Sequence, residues 1–575
     1  MDVASYRVDS NSRDYRLNAV LFGRIFRLCR LYWWRPGAWR AWVSLGIILA
    51  LVGLMAWLSN WLSFQNRDMT NALVGKNEPA FWGLLTALTF GGVAATLLTI
   101  PSSFLHDWVN LEWRAWLTRH ITDSYLTNRA YYEINSEGRI DNPDQRIQEE
   151  VGPVCEAISG IPTNILSAFA SFGVQSAILL GISPELFWIT IGFATIQLLV
   201  TLKITQPTIR QNYDITISEA NLRYGLLSVR DHAEVVAFYR GEQTEKGNIA
   251  SRLQGVVRAT MIKIRYAAFM NSVTSSMSAV WAFLPYWIVV PAYLAGRIDY
   301  GSITQAQMAA SQITFAFIAV ANFIPLLSQL APHAVRLGHI LEKCDEIRLR
   351  PDQQHGAITL SSGDHIELRD VCLQTPGSEQ VLAQHVSLRL NDGDSLLIVG
   401  QTGVGKSSVL RAMAGLWNRG SGHIVMPSPD DTLFLPQQPY MTLSDLRTQL
   451  LYPNGDPKLS DSELQAILER VNLPTLAERH GGFGAVKDWR RILSLGEQQR
   501  IGFARVLTNR SRYVFLDEAT SAVDVVTEEQ LYGVARRAGC TTISVGHRPS
   551  LTDFHNQVLS LFAGGRWELK ATSTV

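Results

Sequence analysis

The sequence predicts a multidomain chain: an all-α transmembrane domain of six helices, followed by an α/β domain built around a phosphate-binding loop. Three observations carry that expectation. Six stretches without a single Asp, Glu, Lys or Arg are long enough, or nearly so, to cross a bilayer, which takes roughly 20 mostly apolar residues. Charge returns abruptly from about Arg336. Beyond that point short β-like runs alternate with helical ones, and one strand runs into a glycine-rich loop that opens a helix.

Composition agrees with this division. The 575 residues are too many for one core, because domains hold roughly 100–200 residues. Only 18% of residues are charged and 47% are hydrophobic, whereas soluble chains carry about 25% charge. A membrane part is therefore mixed with a soluble one. The net charge of +1 gives no sign of a nucleic-acid partner. Cys29, Cys155, Cys344, Cys372 and Cys540 have neither metal-ligand nor redox spacing and read as reduced thiols.

In chain order, residues 1–40 form a basic N-terminal arm in which 20–34 alternates basic with apolar and aromatic residues. This predicts an amphipathic helix on the inner membrane surface. The arm does not read as a signal peptide, since the first long apolar run begins only after Arg40. The six spans, 41–62, 80–105, 158–182, 186–202, 266–296 and 302–330, fall in a transmembrane domain over 41–347. Long polar links follow the second and fourth spans, at 106–157 and 203–265, and short ones follow the first, third and fifth. Arginines crowd the arm, from Arg7 to Arg40, and the link from Arg210 to Arg265, whereas the short loops hold few bases, such as Arg67, Lys76 and Arg297. The positive-inside rule then places both termini and the long links in the cytoplasm. A linker over 348–364 leads to the α/β domain over 365–575.

In that domain the run 395–399 enters Gly400-Gln-Thr-Gly403-Val-Gly405-Lys406-Ser407, which fits G-x-x-x-x-G-K-[ST]. Glycines let successive N–H groups converge on phosphate oxygens, Lys406 adds charge, Ser407 offers a hydroxyl to Mg²⁺, and Ser408 continues the helix whose positive end faces the anion. Downstream, an apolar run ends in Asp517-Glu518. Asp517 is placed to hold Mg²⁺ through water, and Glu518 is the candidate general base. Between these motifs lies Leu493-Ser494-Leu495-Gly496-Glu497-Gln498-Gln499-Arg500.

At this point the chain resembles the ABC ATPase family, whose signature is LSGGQ. The family's other elements follow in order: Gln437 in Leu-Pro-Gln-Gln-Pro, Ser521-Ala-Val-Asp524 after the two acids, and His547 in Ser-Val-Gly-His-Arg. The resemblance implies ATP and Mg²⁺ as ligands. It implies that Gln437 senses Mg²⁺, that His547 meets the γ-phosphate, and that Asp524 belongs to the D-loop. It also implies that Ser494, Gly496 and Glu497 reach ATP held by a second protomer. One signature and one phosphate loop per chain then call for a dimer, most simply of identical subunits. Two positions depart from the family pattern: Leu495 stands where glycine is commoner, and Thr375 stands where an aromatic usually stacks on adenine.

The whole layout resembles ABC transporters of exporter-type fold. Asp141-Asn142-Pro-Asp144-Gln145-Arg-Ile147 and Asp488-Trp489 are similar to the branch holding peroxisomal fatty-acyl transporters and bacterial SbmA/BacA-like peptide-uptake proteins. Asn66-Arg-Asp-Met-Thr-Asn-Ala-Leu73, expected in the first external loop, is similar to the bacterial group of that branch. Asn142, Asp144 and Gln145 are candidates both for an ordinary capped helix start and for a coupling loop, and one helix can serve as both. Gln305, Gln312, Asn322 and Gln329 fall within about one third of the sixth helix's circumference. They either face a hydrated translocation cavity or bond between packed helices.

The absence of ionisable residues from the spans favours ATP over a proton relay as the energy source. The implied function is ATP-driven movement of peptides or bulky hydrophilic solutes, such as cobalamin, across a bacterial inner membrane. Uptake is favoured. The alternatives are export of a similar or lipophilic substrate, and a membrane ATPase that regulates a partner without transport. Membrane lipid and the cargo complete the expected partners.

Overall fold

The computed structural model describes residues 19–138, 140, 142–321, 323–349, 358–375, 380–417 and 419–572. Residues 1–18 of the expected arm, Asp141, Asn322 and residues 350–357 of the expected linker lie outside the described residues. The chain divides into two compact units, 1–350 and 351–575.

The first unit is helical. Its elements are α1 (Ala19–Trp33), α2 (Trp39–Val74), α3 (Glu78–Leu126), α4 (Ala130–Glu137), α5 (Pro143–Ile182), α6 (Pro184–Asp231), α7 (Ala233–Phe238), α8 (Glu242–Leu294), α9 (Tyr300–Ala321) and α10 (Phe323–Leu349). Five of them, α2, α3, α5, α6 and α8, are long and apolar enough to cross a membrane. Phe90, Phe104, Phe169, Trp188, Phe283 and Trp287 are among their exposed side chains. Such outward apolar surface is what lipid requires of a spanning helix. α3, α6 and α8 have 49, 48 and 53 residues. At about 1.5 Å per residue each far exceeds the roughly 30 Å hydrocarbon core, so the helices run on beyond it.

The sixth expected span, 302–330, is described in two parts, α9 and the start of α10. Its first part is α9, whose 22 residues are enough to cross a bilayer. Asn322, outside the described residues, separates it from α10, whose apolar first turns belong to the same expected span. α9 packs on α2, α5, α6 and α8, where Gly301, Ala306, Ala309 and Ala310 are buried, while Met308, Phe315 and Val320 stay exposed.

Helix ends follow local chemistry. Asn77 caps α3 by accepting the Ala80 N–H at 3.3 Å, and Ser183 caps α6 by accepting that of Leu186 at 3.2 Å. Residues 66–73, expected in a loop, instead form the last turns of α2. There the Asn71 side chain accepts the Gly301 N–H at 2.6 Å, tying α2 to the start of α9. A Cβ on Gly301 would sit 2.7 Å from Asn71 Oδ1, so the approach depends on glycine.

α1 buries Leu21, Leu28 and Tyr32 against the protein, whereas Val20, Phe22 and Phe26 stay exposed. Tyr32 stacks on Trp113 of α3 at 5.3 Å between centroids. Arg24 grips Glu342 of α10 with two bonds of 2.8 and 3.0 Å, and Arg27 pairs with Asp345. Exposed pairs contribute about 0–1 kcal/mol. The three buried side chains, at roughly 1.5–3 kcal/mol each, dominate the attachment.

The second unit holds two sheets. Its strands are β1 (Thr359–Ser362), β2 (Ile366–Gln374), β3 (Val381–Leu390), β4 (Ser395–Gly400), β5 (Gly420–Met426), β6 (Thr432–Leu435), β7 (Tyr513–Asp517), β8 (Thr541–Val545), β9 (Gln557–Leu561) and β10 (Trp567–Ala571). Its helices are α11 (Lys406–Met413), α12 (Leu446–Leu451), α13 (Asp461–Arg470), α14 (Leu476–His480), α15 (Trp489–Ile492), α16 (Leu495–Asn509) and α17 (Val525–Arg537). The smaller sheet runs β1-β5-β2-β3 and the larger runs β10-β9-β4-β8-β7-β6. In the larger sheet β9, β4, β8, β7 and β6 are mutually parallel. Their apolar runs are buried on both faces, as such sheets demand. The site lies beyond the carboxyl ends of β4 and β7, where open parallel sheets leave backbone and side chains free for ligands. β1 falls inside the stretch expected as a linker, where it pairs with β5, so this unit starts upstream of His365.

Candidate functional site

β4 delivers the chain into the phosphate loop at Gly400. Gly405 has φ 107°, and a Cβ there would lie 2.9 Å from the Leu382 Cβ, so both conformation and space require glycine. α11 begins at the next residue. Lys406 is buried, and its ammonium donates to the Gly400 and Gln401 carbonyls, each at 2.9 Å. Burial lowers its pKa, against the opposing pull of Glu518 and Asp517. The helix start, the cradling loop and this cation fit a bound polyphosphate. The Ser407 hydroxyl donates to Asp517 Oδ1 at 3.0 Å, which joins the loop to the end of β7. Ser408 is buried, with its N–H on the Gly405 carbonyl at 3.0 Å, so it closes the first turn of α11.

Glu518 follows β7 with φ 50°, a left-handed conformation for a residue with a Cβ. Its N–H donates to the Val545 carbonyl at 3.0 Å, and this pins the turn. Its carboxylate accepts from Gln437 Nε2 at 3.1 Å and faces His547 Nε2 at 3.4 Å. Three motifs far apart in sequence therefore converge on one carboxylate beside Asp517 and Lys406.

The signature begins α16. Ser494 caps it, accepting the Glu497 N–H at 3.2 Å, and Glu497 returns the bond from the Ser494 N–H at 3.0 Å. Glu497 also takes a 2.8 Å bond from Arg479, so within this chain its carboxylate is already engaged. Leu495 is the first helical residue and is exposed. Gly496 packs against the D-loop, where a Cβ would come within 2.8 Å of the Ala522 carbonyl. Asp524 caps α17 through Thr527, at 2.9 Å to its N–H and 2.8 Å to its hydroxyl. Among the described residues Thr375 bonds locally, its N–H reaching the Gln380 carbonyl at 3.0 Å.

Two residues emerge that the motifs did not single out. Gln499, 1% exposed, donates to the Gln437 carbonyl at 2.9 Å and to Ser521 Oγ at 3.1 Å, and accepts the Ala522 N–H at 2.9 Å. It ties the Gln437 loop, the signature helix and the D-loop together. Arg548 donates to the Val523 and Ser521 carbonyls at 2.9 and 3.2 Å, linking the His547 loop to the same segment. Gln499→Ala is expected to destabilise the protein by about 1–3 kcal/mol, since it removes three hydrogen bonds that join the three segments. Thermal unfolding with and without ATP measures this; an unchanged midpoint would exclude the role.

In the membrane unit the four candidate polar residues separate. Gln305 is buried and donates to Ser63 Oγ of α2 at 3.2 Å, so it bonds between helices and does not face a cavity. Gln312 lines a cavity of about 390 Å³ with Asn164, Ser167 and Ser171 of α5, beside Phe315 and Phe323. Gln329 is exposed but is not part of that lining, and Asn322 lies outside the described residues. A helical wheel superposes 305 and 312, but they stand about 10 Å apart along the axis and meet different neighbours.

α5 starts at Pro143, as the sequence predicts. Asn142 occupies the cap position in left-handed conformation, yet its side chain makes no cap bond. Asp144 is exposed, and Gln145 donates to Glu149 at 2.7 Å.

Comparison with known proteins agrees with this geometry. Residues 36–294 match the family described as ABC transporter transmembrane region 2, and residues 383–521 match the family described as ABC transporter. An uncharacterized ABC transporter ATP-binding protein of Synechocystis is 40% identical, over 92% of this chain and 82% of its own length. The chloroplastic ABC transporter D family member 2 of Arabidopsis thaliana is 30% identical, over 94% and 86%. A lysosomal cobalamin transporter of Homo sapiens is 31% identical, over 84% and 86%.

Proposed function

The chain belongs to the ABC transporter family, as a membrane region fused to an ATP-hydrolysing domain, and on that premise we propose that two identical copies pair to import a bulky hydrophilic cargo across a bacterial inner membrane. The observation that carries the catalytic part is the convergence of Gln437 and His547 on Glu518 beside Lys406 and Asp517. Lys406 and the loop N–H groups hold the β- and γ-phosphates of ATP. Glu518 accepts a proton from the attacking water, and Gln437 and His547 orient it. Ser407, Asp517 and Gln437 offer hard oxygen donors that suit Mg²⁺, whose charge offsets that developing on the phosphate oxygens. Ser494 and Gly496 complete the site of the opposite copy, and Asp524 lies at the seam between the two. The exposure of Ser494 supports that reading, and so does the occurrence of one phosphate loop and one signature per chain.

The residues around Gln312 support a cargo rich in hydrogen-bonding groups, because a bare apolar cavity would exclude it. A peptide or a cobalamin-like molecule has that chemistry, and cobalamin is what the human relative's name specifies. The arginine asymmetry supports a cytoplasmic ATPase unit and cytoplasmic termini. Asn142, Asp144 and Gln145, at the start of α5, are then the candidate coupling segment, with Asn142 and Asp144 exposed.

The test is flux from preloaded vesicles. With ATP outside, only outward-facing ATPase units work, so import in the cell becomes loss of labelled peptide or cobalamin from the lumen. Accumulation in the lumen would mean export. Steady ATP hydrolysis with no flux of either cargo would favour a regulator. Gln312→Leu with Ser167→Leu is expected to raise the cargo KM by about tenfold or more, at roughly one lost hydrogen bond each. An unchanged KM removes this cavity from the cargo path.

A further inference from the structure

A buried carboxylate in the membrane unit has no part in ATP chemistry or in the cargo cavity. Glu150 lies two turns into α5 and is 4% exposed. Its Oε1 accepts from Arg336 Nη1 at 2.7 Å, and its Oε2 pairs with His333 Nδ1. Both partners stand on α10, one turn apart. Around them Ile147, Val151 and Val154 of α5 and Ala334, Val335 and Leu337 of α10 belong to one buried apolar cluster.

Apolar packing between two helices tolerates sliding and small rotations. A two-point charged bond does not, since it fixes register and azimuth together. The cost is uneven here. The carboxylate is fully withdrawn from water, whereas the side chains of His333 and Arg336 are 33% and 41% exposed. Losing the acid therefore leaves an arginine and a histidine that water can reach, and the fold tolerates it. Losing the pairing leaves α5 and α10 held by shape alone.

The two helices have notable continuations. α5 begins at Asn142-Pro143, the proposed coupling loop. α10 ends at Leu349, immediately before the ATPase unit in the chain. We propose that Glu150 is a positioning residue that locks α5 and α10 into one moving body, so that nucleotide-driven movement entering at either helix displaces both. This rests on the coupling-loop reading above.

The test is hydrogen exchange of the full-length protein in lipid nanodiscs, without nucleotide and after trapping with MgATP and orthovanadate. In the parent protein the exchange of peptides from α5 and α10 changes together. In Glu150→Gln, ATP hydrolysis stays within about twofold of the parent, because the ATP-site residues belong to the other compact unit and glutamine keeps the shape of the side chain. The trapping-induced change is then lost from one helix and kept in the other. Glu150→Asp, or Glu150→Arg combined with Arg336→Glu, restores the joint change. Joint response in Glu150→Gln overturns the proposal. So does loss of hydrolysis that neither restoring variant rescues, since the pairing would then be structural only. A parent that hydrolyses ATP while neither helix responds removes the coupling reading itself.

Discussion

Glu518→Gln is expected to retain ATP and to lower its hydrolysis by about 10²–10⁴-fold, the usual contribution of a positioned general base. The geometry supports an effect at the upper end. Glu518 is held at φ 50° by its N–H on the Val545 carbonyl, and its carboxylate meets Gln437 and His547 at 3.1 and 3.4 Å. Left-handed backbone at a residue with a Cβ costs about 1–3 kcal/mol and persists where surrounding structure imposes it. Glutamine has the same shape and the same conformational strain, so the fold and the phosphate contacts stay. Only basicity is lost. Phosphate release and equilibrium binding of a fluorescent ATP analogue, measured on one preparation, separate the two effects. Hydrolysis near the parent rate would exclude Glu518 as the base.

Lys406→Met is expected to weaken ATP binding and turnover together by about 10²–10³-fold, comparable to removing one preorganised donor from a charged transition state. The ammonium is buried between the Gly400 and Gln401 carbonyls, and burial already depresses its pKa. That desolvation makes its charge more effective toward phosphate than a surface lysine's would be. Methionine fills the same volume. The carbonyls it leaves belong to residues that solvent reaches, Gly400 partly and Gln401 freely, so the loop keeps its shape. The same binding and release assays apply, and parent-like affinity would remove Lys406 from the phosphate contacts.

These effects fall on residues whose spacing announced them. A phosphate loop is a contiguous backbone conformation, and contiguous residues specify it. Lys406, Ser407, Asp517 and Glu518 could therefore be placed by pattern alone, and the alternation of strands and helices followed from periodicity. Gln437 and His547 have no local signature and needed the order of the family's elements. Gln499 and Arg548 stayed hidden because their partners are backbone groups of distant loops, which leave no trace in side-chain spacing. A signal for Glu497 did exist: Ser494-Leu-Gly-Glu497 fits the S-x-x-E capping pattern.

The membrane unit was legible as helices and less so as sites. β1 escaped notice in the other unit because its exposed Ser and Thr carry no alternating pattern. α9 showed the reverse difficulty. Its glutamines marked a polar stripe, yet whether one meets Ser63 or an open cavity depends on depth along the axis, which a wheel discards. The Asn66–Leu73 stretch looked loop-like because it is polar, whereas it continues α2, and Asn71 there finds a partner in the Gly301 N–H.

The attachment of α1 to α10 sets a timetable for synthesis. Arg24 and Glu342 are 318 positions apart. At about 5–20 residues per second, α1 leaves the ribosome roughly 15–60 s before its partner exists. During that interval Leu21, Leu28 and Tyr32 lack the α10 part of the surface that later covers them. Until the last helix arrives, only the α3 part of that surface, such as Trp113 against Tyr32, is available to the arm. Ribosome-arrested chains ending before α10 should therefore leave α1 open to protease, and closure of that site would report completion of the membrane unit.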